Sequence, residues 1–214
     1  MRLLTVGDSF TYGEELEDRS FAWPNVLAKK LKWELTNLAK PGCGNTRMVR
    51  NVVEQSANHD IIIIAWSHWA RTEIADEHGF YDIWPGCNPL PYKEKTPWRT
   101  EIIEYYSKHH DDQYLYRQYL LNVILLQNYL KSKDKLYLMV DAFANNKTKW
   151  RTDQTNKDLL DQIDTRYFAG WPFYSMCEWT WGTKLAKHGH FLAPGHEVVA
   201  DKIYEHLTKL SWLF

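Results

Sequence analysis

The sequence predicts an α/β fold in which helices cover both faces of a central parallel sheet. Short apolar segments alternate along the chain with amphipathic helical patterns, and no hairpin signal joins one predicted strand to the next. The clearest strand runs from Asp60 to Trp66, and its four consecutive isoleucines indicate a central strand that is buried on both faces. Such sheets bind ligands at the carboxyl ends of their strands, so a functional site is expected in the loops that follow them.

The other elements follow in chain order. Residues 2–6 predict a first strand that ends at Gly7, and a helix from about Pro24 to Lys32 comes next, with the proline in its first turn. Apolar spacing predicts a second strand at 34–38, a helix capped by Asn45 or Thr46, and a long helical region at about 100–131. It also predicts a strand at 135–140, a helix near 155–164 and a last helix from about Pro194 to Leu210. The proline-rich residues 80–98 predict a long irregular loop.

Composition restricts the classes of protein to which the chain can belong. Its 214 residues suit one domain, and a net charge of −1 gives no general attraction to nucleic acids or acidic membranes. Cys43, Cys87 and Cys177 are widely spaced and form no CxxC motif, so free thiols are expected rather than a zinc site or a disulfide scaffold. No segment resembles a signal peptide or a membrane span, so a soluble, cytoplasmic protein is expected.

The first candidate catalytic motif is Gly-Asp-Ser-Phe-Thr-Tyr-Gly at residues 7–13, directly after the first strand. A strand-to-helix turn at this point would expose the Ser9 hydroxyl at the carboxyl edge of the sheet, and Gly7 permits such a tight turn. A serine hydroxyl becomes an effective nucleophile when a base takes its proton. Asp-Ser is also a common start of a helix, so the motif alone leaves a capping role open.

This motif, together with Ser20 to Pro24 and the helix after it, resembles the first sequence block of the SGNH (GDSL-like) hydrolases. The resemblance implies a flavodoxin-like three-layer α/β/α sandwich and places the chain among esterases, lipases and carbohydrate deacetylases. It also implies that Ser9 is the nucleophile and that its backbone N–H contributes to an oxyanion hole. The chain, residues 1–214, would then be a single domain of this type, with aromatic-rich insertions at about 67–134 and 141–185.

Two later loops resemble the parts of the family that bind the oxyanion. Asn37 to Gly42 resembles the second block, in which a glycine five residues after an asparagine donates its backbone N–H, so Gly42 is the candidate donor. Gly44 is the alternative donor if the loop is shifted, and an ordinary turn is the alternative for the whole segment. In the third block, Ser67 stands where the family has a donating asparagine, and His68 stands where it has an aspartate. A hydroxyl can donate a hydrogen bond, so Ser67 is a candidate third donor, whereas a loop-anchoring or exposed role is expected for His68.

The stretch from His190 to His196 resembles the last family block, in which the catalytic histidine precedes a glycine by five residues. The resemblance implies that His190 is the general base for Ser9. A metal site formed by His188, His190 and His196 is the alternative. No carboxylate or cysteine accompanies them at ligand spacing, so no metal is expected.

The acid of the triad is not identified by the sequence. The family places an aspartate three residues before the histidine, where this chain has Lys187. That acid normally holds the imidazole in one tautomer and stabilises the imidazolium. Three outcomes stay open: a backbone carbonyl orients His190, a carboxylate from elsewhere substitutes, with Glu178 the nearest upstream, or the site is weak or inactive.

Taken together, the motifs predict a serine ester hydrolase that forms an acyl-enzyme and needs no cofactor. Aromatic residues crowd the segments Trp66–Trp98 and Tyr167–Trp181, and rings that face a sugar would favour a carbohydrate O-deacetylase acting on a saccharide or small-molecule ester. Packing explains these aromatic residues equally well. The alternative is an SGNH-fold binding or structural module that has lost efficient chemistry. A nucleotide-binding protein is disfavoured, because the first loop lacks the glycine-rich phosphate-binding motifs.

Overall fold

A five-stranded parallel sheet lies at the centre of the computed structural model, which describes residues 1–88, 97–145 and 153–212. The strands of the described residues are β1 (Arg2–Val6), β2 (Glu34–Asn37), β3 (Ile61–Trp66), β4 (Thr72–Asp76), β5 (Gly79–Ile83), β6 (Leu136–Asp141) and β7 (Phe168–Ala169). The sheet has the order β2-β1-β3-β6-β7, and β4 and β5 form a separate hairpin. Because the sheet strands are parallel, their carboxyl ends meet at one edge of the sheet.

Helices cover both faces of this sheet. The described α-helices are α1 (Ser9–Tyr12), α2 (Trp23–Leu31), α3 (Asn45–Gln55), α4 (Pro97–His109), α5 (Asp112–Ser132), α6 (Lys157–Leu160), α7 (Met176–Trp179) and α8 (Ala193–Lys209). Side chains of α2 and α8 form the core on one face, and those of α3 and α5 form the core on the other. The predicted three-layer α/β/α sandwich with a central parallel sheet is therefore confirmed.

The isoleucines of β3 show how the two cores share one strand. Ile61 and Ile63 pack into the core formed with α2 and α8, whereas Ile62 and Ile64 pack into the core formed with α3 and α5. All four side chains are fully buried. Full burial of one such side chain contributes about 1.5–3 kcal/mol, so the run of isoleucines stabilises both layers at once.

The hairpin of β4 and β5 differs from the sequence prediction. Residues 80–98 were expected to form an irregular loop, but β5 occupies the start of this stretch and pairs antiparallel with β4. Residues 89–96 lie outside the described residues. The hairpin turn is Glu77-His78, and the backbone N–H of His78 donates to the Asp76 carboxylate at 2.8 Å. This turn lacks the Asn-Gly or Asp-Gly pair that marks two-residue hairpins, so no sequence signal revealed it.

The long helical region predicted at 100–131 is divided into two helices. α4 ends at His109, and α5 begins at Asp112. The carboxylate of Asp111 accepts the backbone N–H of Tyr114 at 2.8 Å and so caps the second helix. Asp111 therefore marks the start of a second helix inside the stretch that was predicted as one helical region.

Short elements fill the described part of residues 141–185. They are β7, α6 and α7, together with single turns of 3₁₀ helix. The helix predicted near 155–164 is reduced to α6 and the 3₁₀ turn before it. Residues 146–152 lie outside the described residues.

Two further expectations concern the cysteines and the membrane. Cys43, Cys87 and Cys177 are all free thiols, as predicted. In the parts of the chain that the structure describes, every helix is too short or too polar to span a lipid bilayer.

Candidate active site

The loop after β1 positions Ser9 at the carboxyl edge of the sheet. Ser9 is the first residue of α1, and the carboxylate of Asp8 caps this helix by accepting the backbone N–H of Phe10 at 3.1 Å. Gly7 is required at the turn, because a Cβ there would lie 2.2 Å from the hydroxyl oxygen of Thr11. The short strand-to-helix turn predicted around Ser9 is thus present.

The Ser9 hydroxyl has no hydrogen-bond partner in the part of the chain that the structure describes. The residue is only 6% exposed, but its hydroxyl oxygen is not completely buried and makes no hydrogen bond to a described residue. Its backbone N–H is also unpaired among the described residues, as is usual in the first turn of a helix. Both groups of Ser9 are therefore available to a ligand.

His190 lies in a tight turn that reaches back to the first loop. The backbone N–H of Ala186 donates to the carbonyl of His190 at 2.8 Å, and Gly189 adopts a left-handed φ of +87°, which favours glycine. The imidazole of His190 packs beside Phe10, with the ring centroids 5.3 Å apart. The histidine therefore lies next to the residue that follows Ser9, at the same edge of the sheet.

Glu15 is the carboxylate that contacts this histidine. Its Oε2 lies 2.7 Å from Nδ1 of His190, and its two oxygens also accept the backbone N–H of His188 at 3.0 and 3.1 Å. The side chains of Glu15 and His190 are 18% and 19% exposed, so their contact is largely shielded from water.

The charge of Glu15 is supported by these hydrogen bonds. Burial raises the pKa of Glu15, but the hydrogen bonds from His190 and His188 outweigh this effect and hold the pKa below its ordinary value. Glu15 is therefore ionised at neutral pH and can only accept hydrogen bonds. Nδ1 of His190 must then carry the proton, which leaves Nε2 as the nitrogen able to accept another.

Glu178, the sequence candidate for this acid, has a different role. Its carboxylate accepts the backbone N–H and the hydroxyl of Ser175 in a capping box at the start of α7. Sequence reasoning missed Glu15 because it searched near the histidine, whereas the carboxylate comes from the first loop, 175 residues away from His190. The local sign of its special position is the left-handed φ of +64° at Glu15, a conformation that non-glycine residues rarely adopt.

The loop after β2 is hydrogen-bonded to the loop that carries Ser9. The backbone N–H of Lys40 donates to the carbonyl of Gly7 at 3.1 Å, and the side-chain amide of Asn37 donates to the carbonyl of Thr11 at 3.3 Å. Gly42 follows with a left-handed φ of +72°, and its N–H has no partner among the described residues. The arrangement leaves Gly42 free for the donor role that the sequence predicts.

The ring of Trp84 covers this loop. A Cβ at Gly42 would lie 2.9 Å from two ring atoms of Trp84, so a larger residue would have to displace this ring, and the left-handed φ also favours glycine. Trp84 follows β5, so the hairpin that the sequence did not predict forms one wall of the site.

The other two candidate oxyanion donors, Gly44 and Ser67, are engaged elsewhere. The backbone N–H of Gly44 donates to the Asp82 carboxylate at 2.9 Å, which corrects the proposal of Gly44 as an alternative donor. The Ser67 hydroxyl donates its single proton to Oδ2 of Asp8 at 2.6 Å, and the residue is fully buried. Ser67 therefore has no proton to offer a substrate, so its prediction as the third donor is also corrected.

Arg71 completes the contact between Ser67 and Asp8. Its Nη1 lies 3.3 Å from Oδ2 of Asp8 and 3.1 Å from Oγ of Ser67. Asp8 is fully buried, and this burial raises the pKa of Asp8 although Arg71 and Ser67 oppose the shift. No motif or spacing in the sequence marks Arg71, so sequence reasoning did not find it.

A cavity of about 280 Å³ opens beside these residues. Its lining consists of His68, Trp69, Ala70, Arg71, Trp84, Pro85, His110, Asp112 and Phe143. The cavity adjoins the nucleophile loop, because Phe143 packs edge-on against Phe10 with ring centroids 5.1 Å apart. It adjoins the Gly42 loop through Trp84.

Two further histidines have structural roles. Nδ1 of His68 accepts the backbone N–H of Ala70 at 3.2 Å, which agrees with the loop-anchoring role expected for it. Nδ1 of His196 accepts the backbone N–H of Trp23 at 3.2 Å. Burial lowers the pKa of each imidazole to about 4, so both are neutral at pH 7. Within the described ranges, no group of three or more histidine, cysteine or acidic side chains is arranged to hold a metal ion.

Comparison with known sequences identifies the family. Residues 11–213 match the model of a family described as "Family of unknown function (DUF6071)". The chain belongs to this family. No curated protein sequence matches it.

Solved structures show which fold this DUF6071 member has. It is similar to the psychrotrophic esterase EstA from a Pseudoalteromonas species, with a TM-score of 0.56 and 11% identity over 98% of this chain and 97% of that one. TesA gives a TM-score of 0.56 and 13% identity, over 98% and 99% of the two chains. A carbohydrate esterase family 2 enzyme with a carbohydrate-binding domain, from Myceliophthora fergusii, gives 0.55 and 14%, over 99% of this chain and 67% of that one. These likenesses establish the SGNH hydrolase fold.

The chemistry available to this DUF6071 member follows from the grouping of side chains at the sheet edge. An imidazole held at Nδ1 by a carboxylate can take a proton at Nε2 from a neighbouring hydroxyl. The backbone N–H groups of Ser9 and Gly42, which bond to no described residue, can donate hydrogen bonds to a negatively charged oxygen. Such a set of groups suits acyl transfer from an ester.

Proposed function

We propose that the protein is a serine ester hydrolase that acts through an acyl-enzyme intermediate, with Ser9, His190 and Glu15 as its triad. The observation that carries the proposal is the 2.7 Å contact between Oε2 of Glu15 and Nδ1 of His190, beside the loop that presents Ser9. This contact supports Glu15 in the role of the acid that the sequence left unidentified. If the Asp-Ser motif served only to cap a helix, His190, which packs against Phe10, would not need a carboxylate partner.

In the proposed reaction, Oγ of Ser9 attacks the acyl carbon while its proton passes to Nε2 of His190. Glu15 holds the Nδ1–H of His190 and stabilises the imidazolium. The carbonyl electron pair moves onto oxygen, where the N–H groups of Ser9 and Gly42 donate to it. The alcohol leaves with the proton from His190, and a water molecule activated by the same histidine then releases the acid.

The substrate class that we propose is an O-acylated carbohydrate. Trp69, Trp84 and Phe143 line the cavity that adjoins the Ser9 and Gly42 loops, and flat aromatic rings suit the apolar faces of sugar rings. The fold-level likeness to a carbohydrate esterase adds support. In a bound acetylated sugar, the sugar ring would occupy this cavity while the acetyl group would lie at Ser9.

Hydrolysis of 4-nitrophenyl acetate and of acetylated oligosaccharides tests the proposal. We expect Ser9→Ala to lower kcat by about 10³-fold or more, because the residual rate would come from binding and the oxyanion donors alone. Ser20→Ala is the matched control, since the Ser20 hydroxyl is exposed and bonded to Asp18 at 2.7 Å. Equal rates for Ser9→Ala and wild type would refute the proposed function.

A second candidate, a saccharide-binding module without chemistry, is favoured by one observation. The hydroxyl of Ser67, on the loop where the family has a donating asparagine, is already bonded to Asp8. Such a module would bind oligosaccharides with unchanged affinity in Ser9→Ala, as followed by tryptophan fluorescence, and would turn over no acyl ester.

A further inference from the structure

The guanidinium of Arg71 connects three parts of the site. It contacts Asp8 on the nucleophile loop, Ser67 on the loop after β3, and the Trp84 ring that covers Gly42. We propose that Arg71 is a catalytic residue that donates a hydrogen bond to the oxyanion, in the role for which Ser67 has no proton. This inference rests on the proposed hydrolase function.

The position of Arg71 relative to Ser67 is the first reason. Nη1 of Arg71 lies 3.1 Å from Oγ of Ser67, so the guanidinium occupies the space directly beyond the short side chain. A longer amide side chain at residue 67 would extend into that same space. The serine therefore makes room for a donor that comes from four residues further along the chain.

The unused donors of Arg71 are the second reason. A guanidinium has five N–H groups, and both hydrogen bonds of this one, to Asp8 and Ser67, are made by Nη1. Nε and Nη2 make no hydrogen bond to a described residue, and the side chain, 18% exposed, lines the cavity. A largely shielded cation on a cavity wall, with donors that bond to no described residue, is suited to a negatively charged oxygen, because charge-assisted hydrogen bonds are stronger than neutral ones.

The restraint on Arg71 is the third reason. Its guanidinium carbon lies 5.1 Å from the ring centroids of both Trp84 and Phe143. Trp84 covers Gly42, and Phe143 packs against Phe10, the residue after Ser9. The cation is thus fixed between the two loops whose N–H groups would receive the oxyanion, and a fixed donor needs little reorganisation during the reaction.

Arg71 exchanges no proton in this step. As the bond from Oγ of Ser9 to the acyl carbon forms, the carbonyl electron pair moves onto oxygen, and Arg71 donates a hydrogen bond to that oxygen while it stays protonated. When the intermediate collapses, the pair returns to the carbonyl and the alcohol leaves with the proton of His190. Arg71 therefore lowers the activation barrier without gaining or losing a proton and without forming a covalent bond.

The test compares Arg71→Met with wild type on 4-nitrophenyl acetate, an uncharged ester. We expect kcat to fall by about 10²- to 10³-fold, the usual effect of removing one oxyanion donor, with KM changed by less than about threefold. Arg2→Met is the matched control: it also removes an arginine paired with one aspartate, Asp60, but at the amino end of β1. We expect Arg2→Met to retain the wild-type kcat.

Two further measurements separate a catalytic role from a structural one. Arg71→Met leaves the buried Asp8 without its cation, which could itself disturb the site. The double variant Asp8→Asn/Arg71→Met is therefore compared with the single variant Asp8→Asn, in which residue 8 carries no charge. We expect the loss of Arg71 to lower kcat by the same factor in this background as in wild type. In Arg71→Ala, added methylguanidinium should restore part of kcat by entering the vacated space. A purely structural arginine would give no such rescue.

Each outcome separates this inference from the proposed function. If wild type hydrolyses the ester through Ser9 but Arg71→Met retains its kcat, the role of Arg71 is refuted and the hydrolase stands. If Arg71→Met raises KM only for esters that carry a carboxylate, Arg71 binds substrate charge and the oxyanion role is refuted. If wild type turns over no acyl ester, the proposed function itself fails.

Discussion

Asp8 and Glu15 are two carboxylates of the same loop, on either side of Ser9, and their surroundings give them opposite properties. Asp8 is fully buried beneath the site, where burial raises its pKa. The side chain of Glu15 is 18% exposed at the rim, where hydrogen bonds from His190 and His188 hold its pKa below the ordinary value. One carboxylate connects two loops, and the other orients an imidazole.

The comparison teaches that the partner, and not the residue type, decides what a carboxylate does. Asp8 accepts from the helix backbone, from Ser67 and from Arg71, so its contacts hold the site together. Glu15 accepts a hydrogen bond from the titratable ring of His190, so it can influence which ring nitrogen carries the proton. Removing Asp8 should therefore affect mainly stability, and removing Glu15 should affect mainly rate.

The largest effect is expected for Glu15→Gln. An amide at this position cannot stabilise the imidazolium and can favour the wrong tautomer of His190, so kcat for 4-nitrophenyl acetate should fall by about 10³- to 10⁴-fold. The urea midpoint should change little, because the side chain is at the rim of the site. The exposed Glu17 provides the matched control, and Glu17→Gln should keep the wild-type rate. A rate for Glu15→Gln within twofold of wild type would mean that another group orients His190.

Asp8→Ala should show the opposite pattern. It removes a helix cap, worth about 1 kcal/mol, and leaves the Arg71 cation and the Ser67 hydroxyl without their acceptor. The free energy of unfolding, from urea titration, should fall by about 3 kcal/mol. Asp18→Ala removes a comparable cap from an exposed 3₁₀ turn and should cost less than about 1 kcal/mol. Equal losses for the two variants would contradict a connecting role for Asp8.

The smallest effect is the pH dependence of stability, and its sign differs between the two carboxylates. The pKa of Glu15 is lower in the folded chain than in the unfolded one, so its contribution is present above about pH 4.3 and is lost as the pH falls through the folded value. The pKa of Asp8 is higher in the folded chain, so wild type loses stability relative to Asp8→Asn as the pH rises above about 3.9. Urea titrations of wild type, Glu15→Gln and Asp8→Asn from pH 3 to 7 would test this, and slopes of the same sign would contradict it.

Local patterns were sufficient for the central sheet and for the nucleophile loop. The isoleucine run of β3 could only be a strand buried on both sides, and the turn at residues 7–13 placed Ser9 at a strand end. The segment from His190 to His196 likewise preceded the last helix as expected. These features depend on neighbours a few residues apart, which a sequence displays directly.

Contacts between distant segments were not accessible in the same way. The hairpin of β4 and β5 has no turn dipeptide that announces it, yet it supplies Asp82 and Trp84 to the Gly42 loop. Ser67 has the right chemistry for a donor, but its hydroxyl already donates a hydrogen bond to Asp8. Neither outcome can be deduced from residue type, because each depends on which partner is within hydrogen-bond reach.

The sequence by itself determined the alternation of strands and helices, the positions of Ser9 and Gly42 after their strands, and the position of His190 before the last helix. It also showed that the first loop lacks a glycine-rich phosphate-binding motif. Only the tertiary structure decided that Glu15 meets His190, that Glu178 caps a helix and that Arg71 reaches Asp8. Periodicity and turn-forming residues depend on neighbours only a few positions apart, so they can be recognised in the sequence. A hydrogen bond between side chains 175 residues apart exists only after the sheet has brought the two loops to one edge.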